Sequence, residues 1–295
     1  MTSNIPFTPI DQENIQNLVR DALSEDCADQ DLTTNATVPI DQIGHGVLVA
    51  KSTGVICGLS FGTEAFHAVD PKINWLPILK DGDKVSNGTR IAEVRGLIHP
   101  ILRAERVVLN FLHRLAGIAT MTRKAVDEVT DSGVTILDTR KTTPGLRLAE
   151  RYAVRVGGGT NHRNNLKSAI LIKDNHIAAI RARGQNLTEG IKSVLCSVDP
   201  SIPVQVEVTT IDELEAVLES GARAILLDNF ALTDLRQAVE RIHTVGATAE
   251  ASGGITLNNV GTIAKSGVDF ISMGALTHSP QPIDISFRLI PDRSS

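Results

Sequence analysis

The stretch Val204–Asn229 reads VQVEVTTIDELEAVLESGARAILLDN. It contains one complete repeat of a pattern that governs the second half of the chain. A short apolar run, VQVEV, gives way to a Thr-led segment of helical character. A glycine closes that segment, and a second apolar run, AILLDN, follows. Runs of this length between turn signals read as strands, and the segment between them as a capped helix. Strand, helix and strand at this spacing fold as a right-handed βαβ unit. Its strands are parallel and buried on both faces.

Outward from this stretch the rhythm repeats. VTILDT (134–139), SAILIKD (168–174), ATAEAS (247–252) and DFISMG (269–274) bring the strand-like runs to six. ALTDLRQAVERIHTVG and TLNNVGTIAKSG lie between later runs, carry Thr near their starts and end in Gly. The segment LAERYAVRVGG belongs to a further, weakly patterned unit. No Gly-rich loop follows the first strand, and the Gly-rich VGGGTNH (156–162) follows a helix. A closed α/β barrel therefore fits better than an open dinucleotide-binding sheet.

Before residue 133 the texture differs. Ile10–Asp26 places Ile15, Leu18, Val19 and Leu23 at helical spacing. Residues 44–99 hold short alternating runs joined by DGD and SNG turns, which read as strands with tight connections. Residues 101–130 read as a long helix with an apolar face of Val107, Val108, Phe111, Leu112 and Leu115, broken near Gly117. His113 and Arg114 on this helix are expected to face solvent or a partner.

Composition narrows the function. The 295 residues are 42% apolar, enough for a large core. The net charge of −5 and an aromatic content of 3% argue against nucleic acid as a partner. No window approaches a membrane span, and the opening MTSNIPFTPI lacks the pattern of a secretory signal. A cytoplasmic protein is the expectation. Cys27, Cys57 and Cys196 have neither pairing nor metal spacing and read as reduced, mostly buried thiols.

In α/β barrels the ligand site lies at the C-terminal ends of the strands. Taken in order, those ends carry Arg140 and Lys141, then His162 and Arg163, then Lys173 with Asp174 and His176. Glu207 follows, then Asp228 with Asn229, then Ser252, Gly253 and Gly254, then Gly274, Ala275 and His278. Arg140, Lys141, Arg163 and Lys173 converging on one cleft of an acidic protein imply a polyanionic ligand. Glu207 and Asp228 can bind sugar hydroxyls, hold Mg²⁺ through water or stabilise a sugar cation. The SGG and MGA turns offer backbone N–H groups to a phosphate. His45, His176 and His243 read as structural.

The motifs TRKTTPGLR, GGGTNHR, IKDNH, EVT, LLDNF, EASGGI and SMGALTHS occur here in order, after ED, DLTT and AERVVLNFLHRLAGIAT. Together they resemble the quinolinate phosphoribosyltransferases, also called nicotinate-nucleotide pyrophosphorylases (carboxylating), over nearly the whole chain. The resemblance implies transfer of a phosphoribosyl group from 5-phosphoribosyl-1-pyrophosphate (PRPP) to quinolinate, with loss of CO₂ and Mg²⁺ as cofactor. It implies an incomplete, mostly parallel α/β barrel at 118–278. An N-terminal α/β sandwich at 1–117 would be completed by 279–295. Arg106, Thr139, Arg140, His162, Arg163 and Lys173 would bind quinolinate. Lys141, Glu207 and Asp228 would serve PRPP, with Glu207 and Asp228 as candidates to hold Mg²⁺. Ser252, Gly253, Gly254, Gly274, Ala275 and His278 would take the 5′-phosphate. A homodimer would bring Arg106 of one subunit into its neighbour's site.

One departure is visible. Gln205 stands where family members often carry a second Glu, on the same strand face as Glu207, and lowers the local negative charge. Three other readings compete: another pyrophosphorylase-like member of the same fold with a different base, such as the molybdenum-associated type; a barrel aldolase using Lys141 or Lys173 as a Schiff base; and a non-catalytic sensor of PRPP or a dicarboxylate.

Overall fold

The computed structural model describes residues 10–292. The opening stretch read for a leader, up to residue 9, and the last three residues of the expected C-terminal completion lie outside that range. The chain divides into two compact units. The first comprises Met1–Arg123, Thr142–Gly158 and Leu276–Ser295, and the second Lys124–Lys141 and Gly159–Ala275.

In the first unit, helix α1 (Gln12–Glu25) buries Ile15 and Val19 on one face, as their spacing dictates. Asp31 caps α2 (Leu32–Thr37) by accepting from the Thr34 N–H at 3.0 Å. Strand β1 (Ile43–Ala50) buries alternate residues, which commits one face to the core. β2 (Gly54–Val55) pairs with β4 (Lys84–Val85) as a small antiparallel ribbon. The main sheet is antiparallel, in the order β12 (Ile285–Pro291), β1, β5 (Arg90–Leu97), β3 (Asn74–Pro77). The C-terminal strand thus pairs directly with the first strand of the sheet, and the sandwich includes sequence from both ends of the chain.

Helix α3 (Leu59–Val69) contributes Phe61 and Phe66, both fully buried, and Phe66 lies 5.1 Å from the Trp75 ring. Asp81 accepts from the N–H groups of Gly58 and Leu59, at 3.0 and 3.1 Å, and from the Tyr152 hydroxyl at 2.7 Å. Burial raises the Asp81 pKa against these hydrogen bonds.

The long helix α4 (Ile98–Glu128) runs through Gly117 without the expected break. Gly117 is there for proximity: a Cβ on it would lie 2.5 Å from the Gln281 carbonyl oxygen and 3.1 Å from Pro282 Cα. His113 and Arg114 do not face solvent alone. His113 Nε2 lies 3.0 Å from the Ile285 carbonyl oxygen, at the start of β12. Arg114 ion-pairs at 2.7 Å with Glu150 on α5 (Arg147–Val156) and also donates to Thr143 Oγ1 and the Thr277 carbonyl. Glu150 is fully buried and also accepts from the Thr143 N–H at 3.1 Å. The helical face pattern could not reveal this, because α4 meets other segments along more than its apolar stripe.

The second unit is one parallel sheet of six strands. They are β6 (Thr135–Leu137), β7 (Ile170–Ile172), β8 (Val204–Val208), β9 (Ala224–Asp228), β10 (Thr248–Ser252) and β11 (Phe270–Ser272). Their spatial order is β6-β11-β10-β9-β8-β7. All six runs read from the sequence are strands. The unit's helices are α6 (Asp174–Ala182), α7 (Leu187–Ser197), α8 (Ile211–Glu219), α9 (Leu232–Thr244) and α10 (Val260–Ala264), and the short α11 (Ala275–His278) follows where the chain passes to the first unit. Thr210 caps α8, accepting from the Glu213 N–H at 3.2 Å. Closure fails between the edge strands β6 and β7, which do not pair. The barrel is therefore incomplete, as the family resemblance implies and contrary to the closed barrel that the strand rhythm alone suggests. An isolated parallel bridge from Leu137 to Thr160 extends the β6 edge.

The thiols are less buried than composition suggests. Cys57 is buried, whereas Cys27 and Cys196 are exposed, and all three are free. No helix among the described residues is long and apolar enough to cross a membrane.

Candidate functional site

Parallel strands align their C-terminal ends, so residues far apart in sequence meet there. Lys173 follows β7, and its Nζ lies 2.9 Å from Glu207 Oε2 on the neighbouring β8. The cationic and acidic sets, separate in the sequence reading, join in this pair. One strand further on, β9 ends in Asp228, paired with Ser252 at the end of β10. Asp228 Oδ2 accepts from Asn229 Nδ2 at 2.9 Å, and Asn229 adopts a left-handed φ of 57° while its N–H donates to the Ser252 carbonyl at 3.0 Å. Gly253 sits against that side chain. A Cβ at Gly253 would lie 2.3 Å from Asn229 Oδ1, and its φ of +89° also favours glycine. The SGG turn therefore has its shape set by Asn229. His176 is structural, its Nδ1 accepting from the Lys173 N–H at 3.0 Å, and His243 pairs with Asp269 at 3.1 Å.

Arg140 and Lys141 lie beyond the end of β6, in a turn where the Lys141 N–H donates to Thr139 Oγ1 at 3.1 Å. Strand alternation therefore does not decide where their side chains point. Arg140 Nε is buried with no hydrogen-bond partner among the described residues. Arg163 donates from Nη1 to the Ala169 carbonyl at 3.1 Å. Its pKa is lowered, first by burial and then by the charge of Arg140. Two guanidinium groups that repel each other, one with a buried donor unused, form a cradle for an anion.

Asp138, which the sequence shows only as a lone acid, is fully buried. Its carboxylate accepts from the His162 N–H at 2.7 Å and from Asn161 Nδ2 at 2.6 Å, fixing the NHR segment. Glu250, in the middle of β10, was not among the sequence candidates. It is 3% exposed, lies 3.4 Å from His162 Nε2 and accepts from Gln205 Nε2 at 2.8 Å. Burial opposes its charge, yet its pKa is lowered by His162 and Gln205. The His162 pKa is raised, chiefly by its hydrogen bond to Glu250, against the effect of burial. The signal for Glu250 was present: an acid amid small apolar residues in a strand buried on both faces needs a partner.

A cavity of about 550 Å³ lies against this sheet, lined by strand residues such as Val204, Ala224, Thr248 and Phe270 and by Leu137 at the end of β6. His162, Arg163, Gln205 and Glu250 also line it, whereas Lys173, Glu207, Asp228 and Ser252 do not. Of the remaining candidates, Arg106 is exposed on α4, and His278 is exposed with Nδ1 2.6 Å from Ser279 Oγ; both belong to the first unit. Gly274 and Ala275 follow β11, and the Met273 N–H donates to the Leu137 carbonyl at 3.0 Å.

Comparison with known proteins agrees across the chain. Residues 118–288 match the quinolinate phosphoribosyl transferase C-terminal domain and residues 31–116 the N-terminal domain. The chain is 40% identical over 272 residues to the probable nicotinate-nucleotide pyrophosphorylase (carboxylating) of Bacillus subtilis, covering 92% of each sequence. It is 40% identical over 299 residues to quinolinate phosphoribosyltransferase (decarboxylating) 1b of Nicotiana tabacum, covering 94% of this chain and 82% of the relative. Among solved structures, NadC from Streptococcus pyogenes superposes with a TM-score of 0.89 at 36% identity, over 97% of this chain and all of that one. The nicotinate-nucleotide pyrophosphorylase of Francisella tularensis gives 0.87 at 37% identity, over 96% and 99%. Sequence and architecture agree over both halves, and the chain belongs to the quinolinate phosphoribosyl transferase family.

Proposed function

We propose that this protein transfers the 5-phosphoribosyl group of PRPP to quinolinate. The products are nicotinate mononucleotide, pyrophosphate and CO₂, in a step of NAD biosynthesis. The observation that carries this reading from the geometry is the buried, partnerless Nε of Arg140 beside the electrostatically coupled Arg163. A pyridine dicarboxylate is a planar dianion, and paired guanidinium groups suit it. Thr139, His162 and Lys173 complete the proposed quinolinate set.

In this reading the pyridine nitrogen attacks ribose C1 as pyrophosphate leaves. The transition state resembles an oxocarbenium ion, and Glu207 and Asp228 favour its positive charge. The quaternised nitrogen then stabilises the carbanion left when the adjacent carboxylate departs as CO₂. No side-chain nucleophile takes part. Lys173, engaged with Glu207, is poorly placed for Schiff-base chemistry.

Lys141 is assigned to PRPP. Ser252, Gly253, Gly254, Gly274, Ala275 and His278 are assigned to its 5′-phosphate. For Mg²⁺ the donors are of the right kind, since carboxylate oxygens suit a hard cation. One oxygen of Glu207 holds Lys173 and one of Asp228 accepts from Asn229, which leaves each a second oxygen. No cluster of three or more His, Cys, Asp or Glu ligands occurs among the described residues. The ion is therefore assigned to arrive with the diphosphate of PRPP, where it would neutralise the leaving group, with Glu207 and Asp228 holding it in part. A homodimer with Arg106 entering the neighbouring site, and a cytoplasmic location, complete the proposal.

The test is mass-spectrometric detection of nicotinate mononucleotide from quinolinate, PRPP and Mg²⁺, with nicotinate as the alternative acceptor. Product from quinolinate with release of CO₂ is expected. No product, or preference for nicotinate, would overturn the assignment.

A further inference from the structure

We propose that Glu250 is a positioning residue for Arg163, acting through a hydrogen-bond relay of Gln205 and His162. The inference rests on the reading of Arg163 as a ligand of the substrate carboxylate.

The relay has a direction. The Arg163 N–H donates to His162 Nδ1 at 2.8 Å. A donor at Nδ1 requires a lone pair there, so the ring proton sits on Nε2. Nε2 faces Gln205 Oε1 at 3.1 Å, and Gln205 Nε2 donates to Glu250 Oε2 at 2.8 Å. Each group donates a hydrogen bond to the next, and the chain ends on a buried carboxylate, which His162 Nε2 also faces directly at 3.4 Å. Gln205 supplies both the acceptor and the donor that the indirect route uses. Gln205 thus has a part that its neutral charge alone did not suggest.

A second buried carboxylate grips the same segment from behind. Asp138 accepts from the His162 N–H and the Asn161 side chain. The backbone and the ring of His162 are therefore tied to separate acids. Glu250 Oε1 and Ser272 Oγ are both buried outside regular hydrogen-bond geometry among the described residues, yet the Ser272 hydroxyl stands close enough to help hold the Glu250 carboxyl ionised.

The charges that raise the His162 pKa include Glu250 from β10 and Asp138 just past β6; Gln205 from β8 is neutral, and Arg163 lies in the same loop. The two carboxylates raise the His162 pKa. Protonation at Nδ1 would remove the acceptor for the Arg163 N–H, so the relay holds only while the ring is neutral.

Glu250→Gln keeps the shape and removes the charge. Two readouts test the relay in the full-length protein: steady-state kinetics for each substrate, and imidazole nitrogen NMR of His162 without substrate. We expect KM for quinolinate to rise roughly tenfold while KM for PRPP stays within about twofold. The His162 titration should move to lower pH, because its hydrogen bond to and charge interaction with the Glu250 carboxylate are weakened. If Glu250→Gln does not fold, Gln205→Met interrupts the relay while keeping the acid. That variant should raise KM for quinolinate in the same way and move the His162 titration to lower pH, while the Nε2–H tautomer set by the Arg163 N–H persists. A His162 titration unmoved by these variants would overturn the proposal, as would a parallel rise of both KM values. Failure of the wild type to use quinolinate would instead sink the functional reading, and the NMR readout would still decide the relay.

Discussion

Lys173 Nζ and Glu207 Oε2 lie 2.9 Å apart, one at the end of β7 and the other on the paired strand β8. Glu207 is nearly buried whereas Lys173 keeps 44% of its side-chain surface. The desolvation cost therefore falls mainly on the acid, and the pair gives it a counter-ion. A carboxylate ligand reaching Lys173 would compete with Glu207 for the same ammonium.

Lys173→Met should leave Glu207 without its partner. The expected destabilisation is about 1–3 kcal/mol, below the value for a fully buried pair because Lys173 is partly exposed. Lys173→Met combined with Glu207→Gln should recover most of that stability and none of the activity. Urea denaturation and initial rates on the same samples separate the two effects. Recovery of both would mean that the pair is only a brace.

Arg140→Ala should reduce kcat/KM by a hundredfold or more, equivalent to about 2–4 kcal/mol of lost transition-state stabilisation. Its Nε is buried without a hydrogen-bond partner among the described residues, so thermal stability should be nearly unchanged or slightly higher. A near-normal rate for this variant excludes Arg140 from the assigned role.

The strands and their order of use were legible because each βαβ unit carries its own apolar run, cap and closing glycine. The grouping of the strand ends was legible for the same reason: a parallel sheet gathers the C-terminal ends of its runs on one side. What stayed hidden depends on distances between runs. The Lys173–Glu207 pair, the hold of Asp138 on His162 and the Glu250 relay each join segments at least 24 residues apart. Arg114, expected to face solvent or a partner, pairs with the buried Glu150, because helical periodicity does not report a buried acid on another helix. Arg140 and Lys141 could not be oriented by alternation, since β6 ends at Leu137.

Arg114→Ala should be among the more destabilising single changes in the first unit. It strips the counter-ion from Glu150, which is fully buried and, among the described residues, keeps the Thr143 N–H as its remaining side-chain partner. The expected loss is about 3–5 kcal/mol. Arg114→Ala with Glu150→Leu should regain most of it. Chemical denaturation of the single and double variants checks this, and a loss below about 1 kcal/mol would place Glu150 in contact with water.

Stability should depend on pH through His162 and Glu250 with opposite slopes. The raised His162 pKa contributes stability that is full below its ordinary 6.5 and is lost as pH rises through the folded value. The lowered Glu250 pKa contributes stability present above its ordinary 4.5 and lost as pH falls through the folded value. Both contributions are therefore at hand between the two ordinary values. Unfolding free energies across this range should show a maximum there, which Glu250→Gln should flatten. An unaltered profile in that variant would mean the two groups are not coupled.

Gly253→Ala tests whether the SGG turn is shaped for a phosphate by Asn229. The new methyl would lie 2.3 Å from Asn229 Oδ1 and 2.8 Å from its backbone nitrogen, at a φ of +89°. Asn229 cannot yield freely, because its N–H holds the Ser252 carbonyl and its amide holds Asp228. The turn itself should shift, with a stability loss of about 1–3 kcal/mol. The backbone N–H groups that follow Ser252 would then miss the phosphate, so KM for PRPP should rise at least about tenfold while KM for quinolinate changes little. Asn229→Ala with Gly253→Ala removes the collision but keeps the unfavourable φ, and should restore PRPP binding only in part. Full restoration by the double variant would assign the whole defect to the side-chain clash, and equal changes in both KM values would detach the SGG turn from PRPP.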